Sequence, residues 1–251
     1  MSLLEVKDLT VYYGPVRGVE TLSLEVEEGT RIALLGANGA GKTTILKAVS
    51  GLVRPRSGEI RFGGRNLEGV ATADRVRLGL VQVPEGRRIF PALSVRENLE
   101  LAGFGIRPAE RRKRVRETLE HFDLLVPHLG KLAGTLSGGE QQVLAIARGV
   151  VARPRLLMVD EPSLGLAPRM VESVYDLLVR VSEGGTAVLL VEQNVALALE
   201  ITSWAYVLKQ GSLAISGPSE RLVGDPRVVA AYLGEDEDQS NVAEGRQIGH
   251  T

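Results

Sequence analysis

Residues 36–44 read GANGAGKTT, and this stretch constrains the chain more than any other. Gly36, Gly41, Lys42 and Thr43 fit the pattern G-x-x-x-x-G-K-[ST], which carries meaning only with a strand before it and a helix after it. Both are legible here. RIALLG is a short apolar run ending in glycine, and TTILKAVSGL reads as a helix with its stop. Glycines let backbone N–H groups wrap a phosphate, the helix N-terminus favours the anion, and Lys42 brings a point charge to the outer phosphates. The candidate phosphate-binding residues are therefore Gly36, Asn38, Gly39, Ala40, Gly41, Lys42, Thr43 and Thr44, with Thr43 also a candidate magnesium ligand.

Further buried-type runs at 80–83, 156–160 and 187–191 alternate with helical stretches, which predicts an α/β fold with a mainly parallel sheet. Ahead of the phosphate loop, TLSLEV alternates like a half-buried strand and residues 3–13 offer an antiparallel partner. Between Phe90 and Ala152 strand signals vanish and helical patterns follow one another, so an inserted helical lobe is expected over about 91–152. Its first helix should begin at Ser94, where Glu97 completes a capping box, and its second has Pro108 at its start. One domain over 1–233 and an acidic polar tail over 234–251, with little to bury, complete the expected organisation.

The strand LLMVDE ends in two acids at the sheet edge where open α/β folds bind ligands. Asp160 is the candidate for the magnesium shell, and Glu161 for aligning and deprotonating the water that attacks a γ-phosphate. Composition narrows the partners. Thirty basic against 31 acidic residues give a net charge of −1, so no overall positive field gathers nucleic acid. There is no cysteine, which excludes thiolate metal sites and thiol nucleophiles. No apolar run approaches the roughly 20 residues of a membrane-spanning helix, and MSLLEVKDL lacks the layout of a secretory signal, so the chain is expected in the cytoplasm.

A second anion-ready turn, LSGGEQQ, places Ser137, Gly138 and Gly139 before the helical stretch VLAIARGVVA. A serine N-cap followed by permissive glycines would explain the tripeptide alone. Taken in order, the phosphate loop, LSGG and the strand ending in DE resemble the ATP-binding subunits of ABC transporters, and the resemblance covers residues 3–233. It implies a P-loop NTPase core with an N-terminal antiparallel β subdomain and an inserted helical subdomain. It also implies bound ATP and Mg2+, and two such domains packed head to tail. Ser137, Gly138 and Gly139 would then close over the partner's ATP while Gly36 to Thr44, Asp160 and Glu161 hold the chain's own. The aromatic before the first glycine of the N-terminal sheet would stack on adenine, which points to Tyr13, with Val16 beside it; Tyr12 is the neighbour not chosen.

EGRRIFPALSVRENL, DEPSLGLAPRMV and VEQNVALALEI further resemble one of the two ATPase subunits of branched-chain amino acid importers, with urea importers sharing much of this wording. That implies a second ATPase subunit, two membrane permease subunits, a binding protein acting indirectly, and a place on the cytoplasmic face of the membrane. Three residues depart from the wider pattern. Glu85 stands where a glutamine near Mg2+ is usual, with Gln82 three residues early. Gln193 stands where a histidine contacts the γ-phosphate, and Ala167 stands for an aspartate. His121, His128 and His250 read as ordinary surface residues. Arg87 and Arg88 are expected to reach the membrane subunit, and the basic stretch from Arg107 to Arg116 to form a solvated helix face.

Overall fold

The computed structural model describes residues 2–232; the expected acidic tail lies outside the described residues. An antiparallel sheet opens the chain with β1 (Ser2–Tyr13) and β2 (Val16–Glu27), then β3 (Arg31–Gly36) enters the central sheet and α1 (Lys42–Val49) follows the phosphate loop. β4 (Ser57–Phe62) and β5 (Arg65–Asn66) return to the first sheet. Then come α2 (Thr72–Arg77), β6 (Leu80–Val83), and the helical lobe of α3 (Val95–Ala102), α4 (Pro108–His121) and α5 (Gly138–Val151). β7 (Leu156–Asp160), α6 (Pro168–Glu183), β8 (Ala187–Glu192), α7 (Val195–Ile201), β9 (Trp204–Lys209), β10 (Ser212–Pro218), α8 (Ser219–Leu222) and α9 (Pro226–Tyr232) complete it.

The central sheet runs β10-β9-β3-β8-β7-β6, and only the β9–β10 pair is antiparallel. β3, β7 and β8 are buried along their whole length apart from the first residue of β3, as expected of parallel strands covered on both faces. Their alternate residues feed two cores. Ala33, Leu35, Leu157, Val159, Val188 and Leu190 pack toward α5 and α6, whereas Ile32, Leu34, Leu156, Met158, Leu189 and Val191 pack toward α1 and the antiparallel sheet. Register then sets the site. Leu35 lies opposite Glu192, Asp160 opposite Val191 and Val83 opposite Val159, so the residues after β3, β6, β7 and β8 emerge at one edge.

The helical lobe starts where the capping chemistry predicts. The Ser94 hydroxyl accepts from the Glu97 N–H at 3.2 Å, and Glu97 accepts from the Ser94 N–H at 2.7 Å. On α4, Arg112, Lys113 and Arg116 are exposed and Lys113 pairs with Glu117 at 3.8 Å, whereas Arg111 and Arg114 are half-buried and Arg114 pairs with Glu110 at 2.9 Å, so only part of the basic stretch is a solvated face. Arg75 was not singled out by sequence. It is buried, and its guanidinium donates to the carbonyls of Ala48, Val49, Leu67 and Val70, which ties the end of α1 to the loop before α2.

Candidate functional site at the sheet edge

The phosphate loop is shaped by contacts that only glycine permits. Gly41 has φ +102°, and a Cβ there would lie 2.7 Å from the Gly18 carbonyl oxygen. Gly41 is also the N-cap of α1 and supplies no capping side chain, and the first turn holds no acid. The orphan N–H groups of that turn are therefore left for an external anion. Lys42 is 4% exposed, and its Nζ donates to the Gly36 carbonyl at 2.7 Å and to that of Ala37 at 3.3 Å. Asn38 and Gly39 are exposed at the tip, Ala40 is buried beneath it, and Thr43 and Thr44 are half-buried on α1.

β7 delivers its two acids differently. Asp160 is 1% exposed, its Oδ1 faces the Thr43 hydroxyl at 3.5 Å, and its Oδ2 is buried without a partner. Burial first, then the neighbouring Glu161 and Glu85 charges, push its carboxyl from the ordinary 3.8 up to about 6, while the Thr43 hydrogen bond and Lys42 pull it down. An orphaned carboxylate oxygen beside a hydroxyl, crowded by like charge, fits a hard divalent cation that takes oxygen ligands. Among the described residues no cluster of three or more acids, histidines or cysteines is placed to hold a metal ion.

This burial has a testable cost. The folded chain favours protonated Asp160, so the group's contribution is fully present below about pH 4 and is lost as pH rises through about 6. Without nucleotide and Mg2+, Asp160→Asn should be more stable than the parent by about 3 kcal/mol at pH 7.5, at about 1.36 kcal/mol per pH unit. The gap should close toward pH 4. Equal unfolding midpoints at both pH values would contradict the buried-charge account.

Glu161 follows with φ +46°, a left-handed backbone that is costly for a glutamate. Its N–H donates to the Val191 carbonyl at 2.9 Å, and its Oε1 lies 3.2 Å from Lys42 Nζ. Glu85 is exposed on the loop after β6, near enough that its charge acts on Asp160. Gln82 sits elsewhere: it points back along β6 and its Oε1 accepts from the Ser50 hydroxyl at 2.6 Å, at the far end of α1. Gln193 is exposed immediately after β8. Tyr13 is 42% exposed at the end of β1 and pairs across the hairpin with Val16, also exposed. A Cβ on Gly18 would meet both the Tyr13 ring and the Thr44 methyl, at 3.2 and 3.0 Å, so Tyr13 borders α1. Tyr12 is engaged elsewhere, under the Arg56 guanidinium at 5.2 Å.

The LSGG turn lies on the helical lobe. Ser137 caps α5: its hydroxyl accepts from the Glu140 N–H at 3.4 Å, and Glu140 accepts from the Ser137 N–H at 2.7 Å. Neither Gly138 nor Gly139 has positive φ, so permissive backbone is not why glycine stands there. Close approach is. A Cβ on Gly139 would lie 2.6 Å from the Met170 methyl, and one on Gly138 would lie 2.9 Å from Arg87 Nη2. The phosphate loop leads into α1 and the LSGG turn into α5, so the two turns open different helices. Sequence reasoning missed two residues here. Arg87 turns inward, with Nη1 3.4 Å from Gln141 Oε1, while Arg88 stays exposed. His128, expected on the surface, pairs with Glu140 Oε1 at 3.0 Å. Ala167 is the N-cap of α6 and leaves it without a side-chain cap.

Among the described residues no helix is long and apolar enough to cross a membrane. The ABC transporter family profile matches residues 19–164. The high-affinity branched-chain amino acid transport ATP-binding protein BraG of Pseudomonas aeruginosa is 39% identical, over 92% of this chain and all of its own. BraF of the same organism, with the same description, is 35% identical over 93% of this chain and 98% of its own. A dimeric bacterial ABC transporter cassette superposes with a TM-score of 0.77 at 26% identity, covering 86% of this chain and 98% of that one.

Proposed function

The chain belongs to the ABC transporter family and is an ATP-binding transport ATPase, and from that premise we propose that it is one of two unlike ATPase subunits of a branched-chain amino acid importer. The observation that carries this substrate class is the likeness to both BraG and BraF along nearly the full chain, higher to BraG. In this reading the chain sits on the cytoplasmic face of the membrane beside two permease subunits, which are served by a binding protein on the other side.

Backbone N–H groups of residues 36–44 and Lys42 bind the phosphates of ATP. Tyr13 stacks on adenine, and Val16 covers the ring edge. Thr43 and Asp160 would hold Mg2+, with Glu85 beside them, and the ion would supply positive charge to the phosphates. Glu161 orients the attacking water and takes its proton. The Gln193 amide donates a hydrogen bond to a γ-phosphate oxygen, without the charge or pH response of a histidine. Ser137, Gly138 and Gly139 close over ATP held by the second subunit.

Tyr13→Ala should weaken nucleotide binding by roughly 1–3 kcal/mol, the range for loss of base stacking. Tyr12→Ala should leave it near the parent value, because that ring is spent on Arg56. The reverse ranking in a binding titration would move the adenine platform to Tyr12. Substrate class is tested by uptake in cells lacking this chain: its return should restore accumulation of labelled leucine, isoleucine and valine. Restored urea uptake, with amino acid uptake unchanged, would overturn the assignment.

A further inference from the structure

We propose that Glu192, clamped by Tyr175, is a positioning residue that locks the loop after Glu161 to the Gln193 turn and so maintains the strained backbone of Glu161. Glu192 ends β8 and is 2% exposed. Its carboxylate is held by three donors from three segments. Oε1 accepts from the Tyr175 hydroxyl of α6 at 2.9 Å and from the Ser163 N–H at 3.1 Å, and Oε2 accepts from the Gln193 N–H at 3.2 Å. These donors are one tyrosine hydroxyl and two backbone N–H groups, all of them neutral.

A buried carboxylate held by neutral donors is a costly way to pack a strand end, since an apolar residue of similar volume would do so without desolvating a polar group. What this arrangement adds is direction. Ser163 is two residues past Glu161, and Gln193 follows Glu192 directly, so one carboxylate fixes the backbones of both segments at the sheet edge. Glu161 needs such support. Its left-handed φ of +46° is held on one side by its N–H bond to Val191, the residue before Glu192, and on the other by the Ser163 bond to Glu192. Strain of this kind persists only where the surroundings over-determine it. Burial and the adjacent Glu192 charge push the Tyr175 hydroxyl well above its ordinary range, so it remains a donor.

The inference rests on Glu161 acting on the attacking water, and the test separates the two. Turnover, KM and equilibrium nucleotide affinity are measured for the full chain with its partner subunits. Glu192→Ala should lower kcat about 10²-fold, the cost of misplacing a reacting group by about 1 Å, with KM and affinity within about twofold. Tyr175→Phe, which removes one oxygen and keeps the ring, should cost about tenfold in kcat. Glu192→Gln should retain more activity than Glu192→Ala, because its carbonyl still accepts from Tyr175 and Ser163. Tyr175→Phe decides the matter even if Glu192→Ala fails to fold. A lower melting temperature with kcat unchanged, or a raised KM with kcat unchanged, would overturn the positioning role. With Glu161→Gln inactive in the same assay, that outcome would sink this inference alone; an active Glu161→Gln would sink the reading beneath it.

Discussion

Glu161→Gln is expected to bind MgATP as the parent chain does and to turn over about 10² to 10⁴ times more slowly. The substitution leaves the shape of the side chain, so the left-handed backbone at 161 and the approach to Lys42 at 3.2 Å remain possible. What it removes is the capacity to take a proton. Asp160 cannot replace it, because that carboxyl faces Thr43 in a buried position and its free Oδ2 suits a cation. Glu85 lies exposed on the loop after β6. Equilibrium binding and phosphate release on the same preparation check both halves. An unchanged rate of phosphate release would remove Glu161 from the chemistry.

Ser137→Arg should leave the chain's own nucleotide affinity intact and lower turnover of the assembled transporter by about 10²-fold or more, as expected when a closing contact is displaced. The α5 N-terminus is crowded already, with the Arg87 guanidinium against Gly138 and the Met170 side chain against Gly139. A second guanidinium there adds positive charge to the positive end of a helix and obstructs the face that would meet a phosphate. Ser137→Ala serves as the control for the cap itself, which is worth about 1 kcal/mol of local stability. A Ser137→Arg chain that loses its own ATP affinity in isolation would show that the turn serves the chain's own site and not the partner's.

Most of the fold could be read from local chemistry. The phosphate loop announces itself by glycine and lysine spacing, the start of α3 by a capping box at Ser94, that of α5 by a serine N-cap at Ser137, and β3, β7 and β8 by short apolar runs between helices. Two hairpins were missed although their turns were visible. Gly63–Gly64 joins β4 to β5, and Gln210–Gly211 joins β9 to β10; both dipeptides have consecutive positive φ, as a type I′ turn requires. The residues overlooked at the site share a different cause. Glu192 looks like any acid ending an apolar strand and Tyr175 like any core aromatic on α6. Their partnership joins positions 17 apart with Ser163 between elements, which no periodicity reports. Likewise the pairing of His128 with Glu140 spans a 3-10 turn and a helix cap.

Ala167 illustrates a departure whose local effect is physical. An aspartate at this N-cap would offer a side-chain oxygen to the first turn of α6, whereas alanine offers none, and the Met170 N–H donates to the Ala167 carbonyl at 2.8 Å. Together with Glu85 and Gln193 it suits a subunit whose partner carries the more usual residues.

In the proposed reading this chain hydrolyses MgATP at a site that a second, unlike ATPase subunit completes, and ATPase rate against protein concentration distinguishes that from a self-sufficient chain. Alone, the chain should bind MgATP and turn over slowly, with little water excluded from the open site, and any rise with concentration should reflect weak self-association. Adding the cognate subunit and the membrane pair should raise turnover to a plateau set by the limiting component. Full activity from the isolated chain, independent of concentration and unchanged on reconstitution, would contradict the account.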